Sequence, residues 1–274
     1  MALKKFKLIA NSNAPIDGDI FSPNNLAGKN IPEILNLETW LGKKRVKVSE
    51  IFEVTDESNE SEELTLVFDG NITQVTRVGK NMSEGKIIVK GSVGAFLGIE
   101  MSGGSIDVDG DADTFVGMSM KGGTIQIKGN AGDAIGSGYW GSRTGMLGGL
   151  IIVQGNAGDE IGRWMKAGTI RICGNTGILA GSRLQGGSIL IQGNSEGKLG
   201  ASMVGGKVVL LGKTSSTFPS FYISEIKSKA KVDGEKISGP FYSFLGDIVE
   251  NGAGKLFISV ENNPDLKYRE DFIP

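Results

Sequence analysis

A segment of nineteen residues recurs along the middle of this chain and constrains its fold more than any other feature. Each unit begins with methionine or leucine, reaches a glycine three residues later and runs through a short apolar stretch into a second glycine-rich turn. Such repeats are typical of arrays in which each unit buries its apolar side against its neighbours. The seven units begin at Met82, Met101, Met120, Met146, Met165, Leu184 and Met203.

Apolar residues alternate along each unit, as Ile125 and Ile127 do around Gln126. A period of two is the signature of a β-strand with one buried face, whereas a helix would show a period of 3.6. A strand this short cannot form a core alone, but stacked units bury identical columns against each other. The pattern therefore predicts an all-β fold, a single-stranded β-helix (β-solenoid) of about seven 19-residue coils.

The repeat predicts roles for its glycines, its methionines and the single cysteine. Recurring glycines are expected at sharp turns, where a positive φ is costly for other residues. Six methionines share one column and are expected to be flexible core fillers rather than cofactor ligands. The lone cysteine, Cys173, lies in the strand pattern "TIRICG" and is predicted to be a buried, inert thiol rather than a nucleophile.

Composition limits the chemistry and the location. The 274 residues include no histidine, which excludes Ser-His-Asp and Cys-His nucleophiles and the common histidine-containing zinc sites. One cysteine allows no internal disulfide, which suits a reducing compartment. Without a signal-peptide pattern or a long apolar run, the chain is expected to be cytoplasmic and free of membrane contact. A net charge of -2 argues against a nucleic-acid partner.

One insertion interrupts the repeat. In "IGSGYWGSRTGMLGG", Ile135–Gly149, the unit lengthens by seven residues. Stacking is expected to bring this loop beside the equivalent corners of the next two units. A cluster of aromatic and arginine side chains is typical of protein interfaces and of carboxylate-binding sites. We therefore expect contact with a partner or with a coenzyme tail, the alternative being a tolerated loop, at Tyr139, Trp140, Arg143, Arg163, Trp164 and Arg183.

Two other surfaces leave alternatives open. The outward column between the two buried ones contains four apolar residues, which predicts either a partner interface or a cover formed by a flank. The alternating acids in "IDVDGDADTF" favour a solvated face or a partner contact over calcium, because neighbouring units lack them. The outward column reads Ile88, Asp107, Gln126, Ile152, Arg171, Leu190 and Val209, and the acids are Asp107, Asp109, Asp111 and Asp113.

The repeat does not extend to the ends of the chain. Residues 1–63 are expected to form an N-terminal flank or cap with some helix, residues 64–214 the glycine-rich β-helix, and residues 215–274 a C-terminal cap. Arrays of this kind need atypical terminal caps, because an open strand edge invites aggregation.

The tandem pattern "MxGGxIxVxGNAGxxIG", with its single insertion "GSGYWGSRTGMLGG", resembles the C subunit of formylmethanofuran dehydrogenase over essentially the whole chain. It is also similar to the glycine-rich β-helix that ends the large subunit of glutamate synthase. The resemblance implies a right-handed β-helix with small α/β capping flanks. It further implies a structural, noncatalytic subunit of an oxidoreductase complex that reduces carbon dioxide and formylates methanofuran, the first step of methanogenesis.

The same resemblance implies how chemistry is shared within the complex. The tungsto- or molybdopterin, the iron–sulfur clusters and the dinuclear metal site are expected in other subunits, so this chain carries no cofactor, metal or catalytic residue. The expected partners are a molybdopterin subunit, a metal-dependent amidohydrolase-like subunit and ferredoxin-like subunits.

Three alternatives to this function remain. The chain could be the corresponding subunit of a formyltransferase/hydrolase complex, whose reaction lacks the redox half. It could be a glutamate-synthase-like scaffold that associates with an amidotransferase. A sugar-cleaving enzyme with carboxylates in a groove is disfavoured, because successive units carry no long loops that could build one.

Overall fold

The structure is a computed structural model that describes residues 2–57 and 63–274. The segment before the first repeat unit, which begins at Met82, combines short helices with strands of two sheets. Of its strands, β1, β5 and β6 enter the main sheet, and the others form a separate four-stranded sheet. The elements are β1 (Ala2–Leu8), β2 (Ile16–Asp17), α1 (Pro23–Leu26), α2 (Ile31–Leu35), β3 (Glu38–Leu41), β4 (Lys44–Lys47), α3 (Val48–Ile51), β5 (Phe52–Asp56), β6 (Leu64–Asp69) and β7 (Val75–Thr76).

Each 19-residue unit contributes one four-residue strand to the main sheet. Successive strands pair in parallel and in the same register, so that Ile106 lies opposite Ile87 and Ile125 opposite Ile106. The insertion does not disturb this register, because Ile125 pairs with Ile151 across it. The strands are β8 (Lys86–Val89), β9 (Ser105–Val108), β10 (Thr124–Ile127), β11 (Leu150–Val153), β12 (Thr169–Ile172), β14 (Ser188–Ile191) and β16 (Lys207–Leu210).

A second, sparser set of parallel contacts joins the same units. Single-residue bridges link Val93 to Ala112 and Ala131 to Ala157, among others. Near the C-terminal end of the row, β13 (Thr176–Ile178) and β15 (Ser195–Gly197) pair as a two-stranded sheet.

The C-terminal residues add three strands in antiparallel order. These are β17 (Tyr222–Val232), β18 (Glu235–Gly246) and β19 (Gly254–Ser259), followed by a 3-10 helix at Pro264–Phe272. Strand β19 pairs in parallel with β16, while β17 and β18 form a long antiparallel hairpin beyond it. No helix in residues 2–57 and 63–274 is long and apolar enough to cross a membrane.

The sheet overturns the predicted fold class. The right-handed β-helix of seven coils with separate α/β caps is wrong, because the strands belong to one 13-stranded mixed, largely parallel sheet. The segments on both sides of the repeat units supply strands to that sheet, β5–β1–β6 at one edge and β19–β18–β17 at the other. A period of two specifies a strand and its buried face, but it does not specify how the sheet closes or where its edges find partners.

The core follows the predicted columns. The inward isoleucines, valines and leucines of the seven strands are at most 1% exposed. The six methionines of the shared column are fully buried, which confirms that they fill the core. Before the first repeat unit, the rings of Phe6, Phe21, Phe52 and Phe68 pack with centroids 5.2–5.9 Å apart.

Cys173 is exposed, so its predicted burial was wrong. It directly follows β12, in which Ile170 and Ile172 point inward. Continuing the same alternation places position 173 outside.

The C-terminal hairpin covers part of the outward column. Leu190 and Val209 are 1% and 0% exposed, and they pack in one cluster with Ala230, Val232 and Phe257. Of the two alternatives for this face, a flank therefore provides the cover at that end. Ile88 and Ile152, further along the column, are only half-buried.

Because the hairpin covers only one end of the outward column, an aspartate should destabilise the protein more at one position of this column than at another. Val209→Asp would bury a carboxylate against the hairpin and should lower the free energy of unfolding by about 3 kcal/mol or more. Ile152→Asp, in the same column but half-exposed, should cost about 1 kcal/mol or less. Urea unfolding of both variants measures the difference, and equal losses would contradict a cover at Val209.

Candidate functional site

The inserted loop is closed at its base. Met146 N–H donates to the carbonyl of Gly136 over 2.8 Å, so the chain leaves at Gly136 and returns beside it. Gly138 and Gly145 donate to the carbonyls of Arg163 and Trp164 in the next unit over 3.2 and 2.9 Å. The loop therefore rests on its neighbour, as the sequence predicts.

Arg163, in the unit that follows the insertion, holds the inserted loop in place. Its guanidinium lies 4.1 Å from the Trp140 ring centroid, and its Nη2 donates to the Gly138 carbonyl over 2.9 Å. Its Nε is 3.3 Å from a Glu160 carboxylate oxygen, without the geometry of a hydrogen bond. Arg163 is only 7% exposed. A buried guanidinium needs such partners, so we assign Arg163 a structural role in the site.

Trp164 lies between two other arginines. The guanidinium carbons of Arg143 and Arg183 are 6.0 and 5.3 Å from its ring centroid, within reach of a cation–π interaction. Both arginines are exposed. In the part of the chain that the structure describes, neither has an ion pair or a side-chain hydrogen bond, so their N–H donors face solvent.

The backbone at this corner is locally strained. Trp164 and Arg183 have φ values of 61° and 54°, in the left-handed region that bulky residues rarely adopt. Such strain persists where the surroundings over-determine it and is common at functional sites. Here the parallel contacts between units impose it, because the preceding units have the same conformation at Glu100 and Ser119.

Two phenylalanines that the sequence analysis missed complete the site. Phe96 and Phe115 stack with centroids 5.1 Å apart, and the Tyr139 ring lies 5.7 Å from that of Phe115. Trp140 meets Phe115 edge-on at 6.1 Å. Tyr139 and Trp140 nevertheless remain 51% and 58% exposed. The available signal was that Phe96 and Phe115 occupy the same position of two successive units just before the insertion.

We call this set of residues the corner cluster. It joins the six residues singled out from the sequence, Tyr139, Trp140, Arg143, Arg163, Trp164 and Arg183, with Phe96 and Phe115.

A groove runs beside the corner cluster. It has a volume of about 390 Å³, with Phe115 and Trp140 among its apolar walls and Asp133, Asp159 and Glu160 among its polar ones. Two of these carboxylates bind the backbone: Asp133 accepts from Asp159 N–H at 2.9 Å, and Asp159 from Ile178 N–H at 2.8 Å. Aromatic rings of the corner cluster thus line a groove together with acids, two of which already bind the backbone, an arrangement suited to contact rather than to bond-making chemistry.

The acids of "IDVDGDADTF" bind within the chain. Asp107 pairs with Lys86 at 2.7 Å and Asp109 with Lys128 at 2.6 Å. Asp111 accepts from Asn130 N–H at 2.7 Å, and Asp113 from Thr114 N–H at 2.7 Å. Within the described ranges, no group of three or more His, Cys, Asp or Glu side chains is placed to hold a metal ion.

The corner cluster predicts different roles for two of its arginines. Arg163→Ala would leave the Gly138 carbonyl and Glu160 without their partner, and should lower the free energy of unfolding by about 2 kcal/mol. Arg143→Ala, at an exposed position, should change it by about 0.5 kcal/mol or less. Chemical denaturation tests this. Equal destabilisation would mean that Arg143 also serves the fold and is not free for contact.

The chain was compared with known proteins. No family model matches it. It is 37% identical over 85 residues to the C subunit of the tungsten-containing formylmethanofuran dehydrogenase 2 of Methanothermobacter wolfeii, a match that covers 31% of this chain and 32% of that protein. It is 39% identical over 80 residues to the C subunit of the molybdenum-containing formylmethanofuran dehydrogenase 1 of Methanosarcina barkeri, covering 29% and 27%. The match thus spans about a third or less of these relatives' length.

A solved structure matches far more of the chain. It is the crystal structure of the formyltransferase/hydrolase complex FhcABCD from Methylorubrum extorquens in complex with methylofuran. One of its chains superposes with a TM-score of 0.80 and 26% identity, over 93% of this chain and 99% of that one. Together, these matches confirm the predicted resemblance: this chain is similar to the C subunit of formylmethanofuran dehydrogenase.

Proposed function

We propose that this chain is the structural, noncatalytic C subunit of a formylmethanofuran dehydrogenase complex, which reduces carbon dioxide and formylates methanofuran. The observation that carries the proposal is the similarity to subunits bearing that name in both tungsten and molybdenum enzymes. In this proposal the pterin-bound metal, the iron–sulfur clusters and the dinuclear site belong to partner subunits. The single cysteine suits the reducing cytoplasm for such an assembly.

A second candidate rests on a different observation. The full-length structural match is to a chain of a formyltransferase/hydrolase complex. This favours the corresponding subunit of a complex that transfers and hydrolyses the formyl group without a redox step.

A noncatalytic role is supported by how the polar groups of the corner cluster and of the groove beside it are used. Arg163 binds the loop backbone, and Asp133 and Asp159 each accept a backbone N–H. These groups are occupied in holding adjacent units together. Among the described residues, the arginines of the cluster that lack an ion pair, Arg143 and Arg183, carry guanidinium donors, which can bind but cannot act as a base or a nucleophile at neutral pH.

The corner cluster is our candidate for the partner contact. Tyr139 and Trp140 present large, rigid, exposed rings, and Arg143 and Arg183 present unpaired guanidinium groups. Aromatic residues and arginine dominate the binding energy of protein interfaces. A carboxylate-bearing coenzyme tail is the other occupant that these arginines suit, through paired N–H donors.

The complex itself can be identified by copurification. A tagged copy of the full chain, expressed in its native host and purified without oxygen, should bring down a molybdopterin subunit and an amidohydrolase-like subunit. A formyltransferase with the amidohydrolase and no pterin subunit would instead support the second candidate. Glutaminase subunits, or a chain recovered alone, would contradict both.

If the corner cluster contacts a partner, replacing its exposed arginines should weaken assembly of the complex. The double variant Arg143→Ala with Arg183→Ala should reduce recovery of the partner subunits about tenfold or more, because interface arginines commonly contribute above 1.4 kcal/mol. If the site instead holds a coenzyme tail, assembly stays intact and the KM for the coenzyme rises.

Arg45→Ala is the matched control. Arg45 is also exposed and stacks on a tryptophan, 5.7 Å from the centroid of Trp40, but it lies in the N-terminal flank. This variant should assemble and react normally. If the double variant also keeps both normal assembly and a normal KM, the corner cluster is merely a tolerated loop.

A further inference from the structure

A second groove, formed by strands near the C-terminal end of the chain, is lined by lysines. It has a volume of about 410 Å³ and is lined by residues of β16, β17, β18 and β19. Its floor includes Ala230 and Phe257, which are buried. The charged lining consists of Lys207, Lys227, Lys229, Lys231, Lys236 and Lys255.

Strand pairing sets four of these lysines directly against each other. Lys207 on β16 lies opposite Lys255 on β19, and Lys231 lies opposite Lys236 across the hairpin. Like charges in directly opposed cross-strand positions destabilise a sheet. The fold alone gains nothing from this arrangement.

The chain supplies few counter-charges to the lysine groove. Lys227 pairs with Glu225 at 3.1 Å. The nearby Glu235 is taken by Arg171, with an N–O distance of 2.6 Å. The remaining five lysines have no ion pair within residues 2–57 and 63–274.

Lys207 is held in the groove by its own hydrogen bond. Its Nζ donates to the backbone carbonyl of Lys231 over 2.9 Å. Burial, followed by the positive charges of Lys255 and Lys231, lowers the pKa of Lys207 below its usual value. A bound anion would relieve this cost by favouring the charged form.

The cover formed by the hairpin does not require these lysines. Ala230 and Val232 pack on Leu190 and Val209, and that apolar contact explains why the hairpin folds over the sheet. Lys229 and Lys231 alternate with those residues along β17 and have no ion pair within residues 2–57 and 63–274. One side of the hairpin is therefore apolar and packs on the sheet, whereas the other side carries lysines that do not contribute to this packing.

From this geometry we propose that the lysine groove docks an acidic segment of a partner protein, with carboxylates placed between the opposed lysines. Ammonium groups on flexible stems suit the scattered carboxylates of an acidic peptide. A nucleic-acid ligand fits less well, because the chain has a net charge of -2 and the groove contains no arginine. The inference is independent of the proposed function, since it does not depend on which complex contains the chain.

A fluorescently labelled hexaglutamate peptide is the probe, with binding to the purified full chain followed by anisotropy. At about 0.05 M salt, where surface charges are weakly screened, the peptide should bind. Lys229→Glu with Lys231→Glu should weaken binding by about tenfold or more. The matched control, Lys43→Glu with Lys44→Glu, has the same change in net charge but lies at exposed positions of the N-terminal flank. It should change binding by less than about twofold.

Several outcomes would overturn the proposal. These are no binding of hexaglutamate, equal binding of hexaglutamine, or an equal loss in the control pair. Tighter binding of an oligouridylate with the same charge would mean that the groove serves nucleic acid instead.

A stability measurement tests the premise of repulsion separately. Lys255→Gln removes one member of an opposed pair, so it should raise the melting temperature at low salt while weakening peptide binding. A lower melting temperature would show that Lys255 stabilises the fold, and the proposal would lose its premise of unneeded charge.

Discussion

The parallel pairing of identical short strands is the interaction on which the rest of this molecule depends. Each four-residue strand places two apolar side chains against the same pair in the next strand, and the methionine column fills the space between units. Close approach of the backbones makes glycine necessary at the turns. At Gly123, where φ is 84°, a Cβ would lie only 2.7 Å from Met101 Cε and 2.8 Å from the Gly104 carbonyl oxygen.

This pairing also explains why the insertion is tolerated and where its side chains lie. The register of Ile125 with Ile151 is unchanged across it, so the added residues cost the core nothing. Because the loop closes on Gly136 and hydrogen-bonds to the next unit, Trp140 is placed against Arg163 and Tyr139 against Phe115. A loop that the fold does not need, but holds firmly, is well suited to recognition.

Local features of the structure were predictable from the sequence. The alternation of Ile125 and Ile127 specified a strand and its buried face. The equal spacing of the units placed the inserted loop beside Arg163 and Trp164 of the next unit. How the strands close, and what covers their edges, was not predictable. These depend on contacts such as Val209 with the hairpin residues Ala230 and Val232, which are distant in sequence and carry no periodic signal. For this reason the predicted β-helix was wrong, although its inward columns are buried.

One further error and one omission have simple physical origins. Cys173 was assigned to a buried strand pattern, although strand alternation places it on the outer side. In the sequence alone, the alternation of Lys227, Lys229 and Lys231 is typical of the solvated face of an edge strand. Only the pairing of Lys231 with Lys236 and of Lys207 with Lys255 reveals that the cations oppose each other.

The central claim is that the corner cluster is where a structural subunit meets its complex. In the part of the chain that the structure describes, the backbone amides of Tyr139, Trp140 and Arg143 donate no hydrogen bond, so in the free chain they should exchange rapidly with deuterium. Hydrogen–deuterium exchange on the isolated chain and on the purified native complex compares these amides directly. The account predicts strong slowing at residues 139–143 on assembly, with no change at the exposed turn of residues 42–44. Equal exchange at residues 139–143 in both states would contradict it.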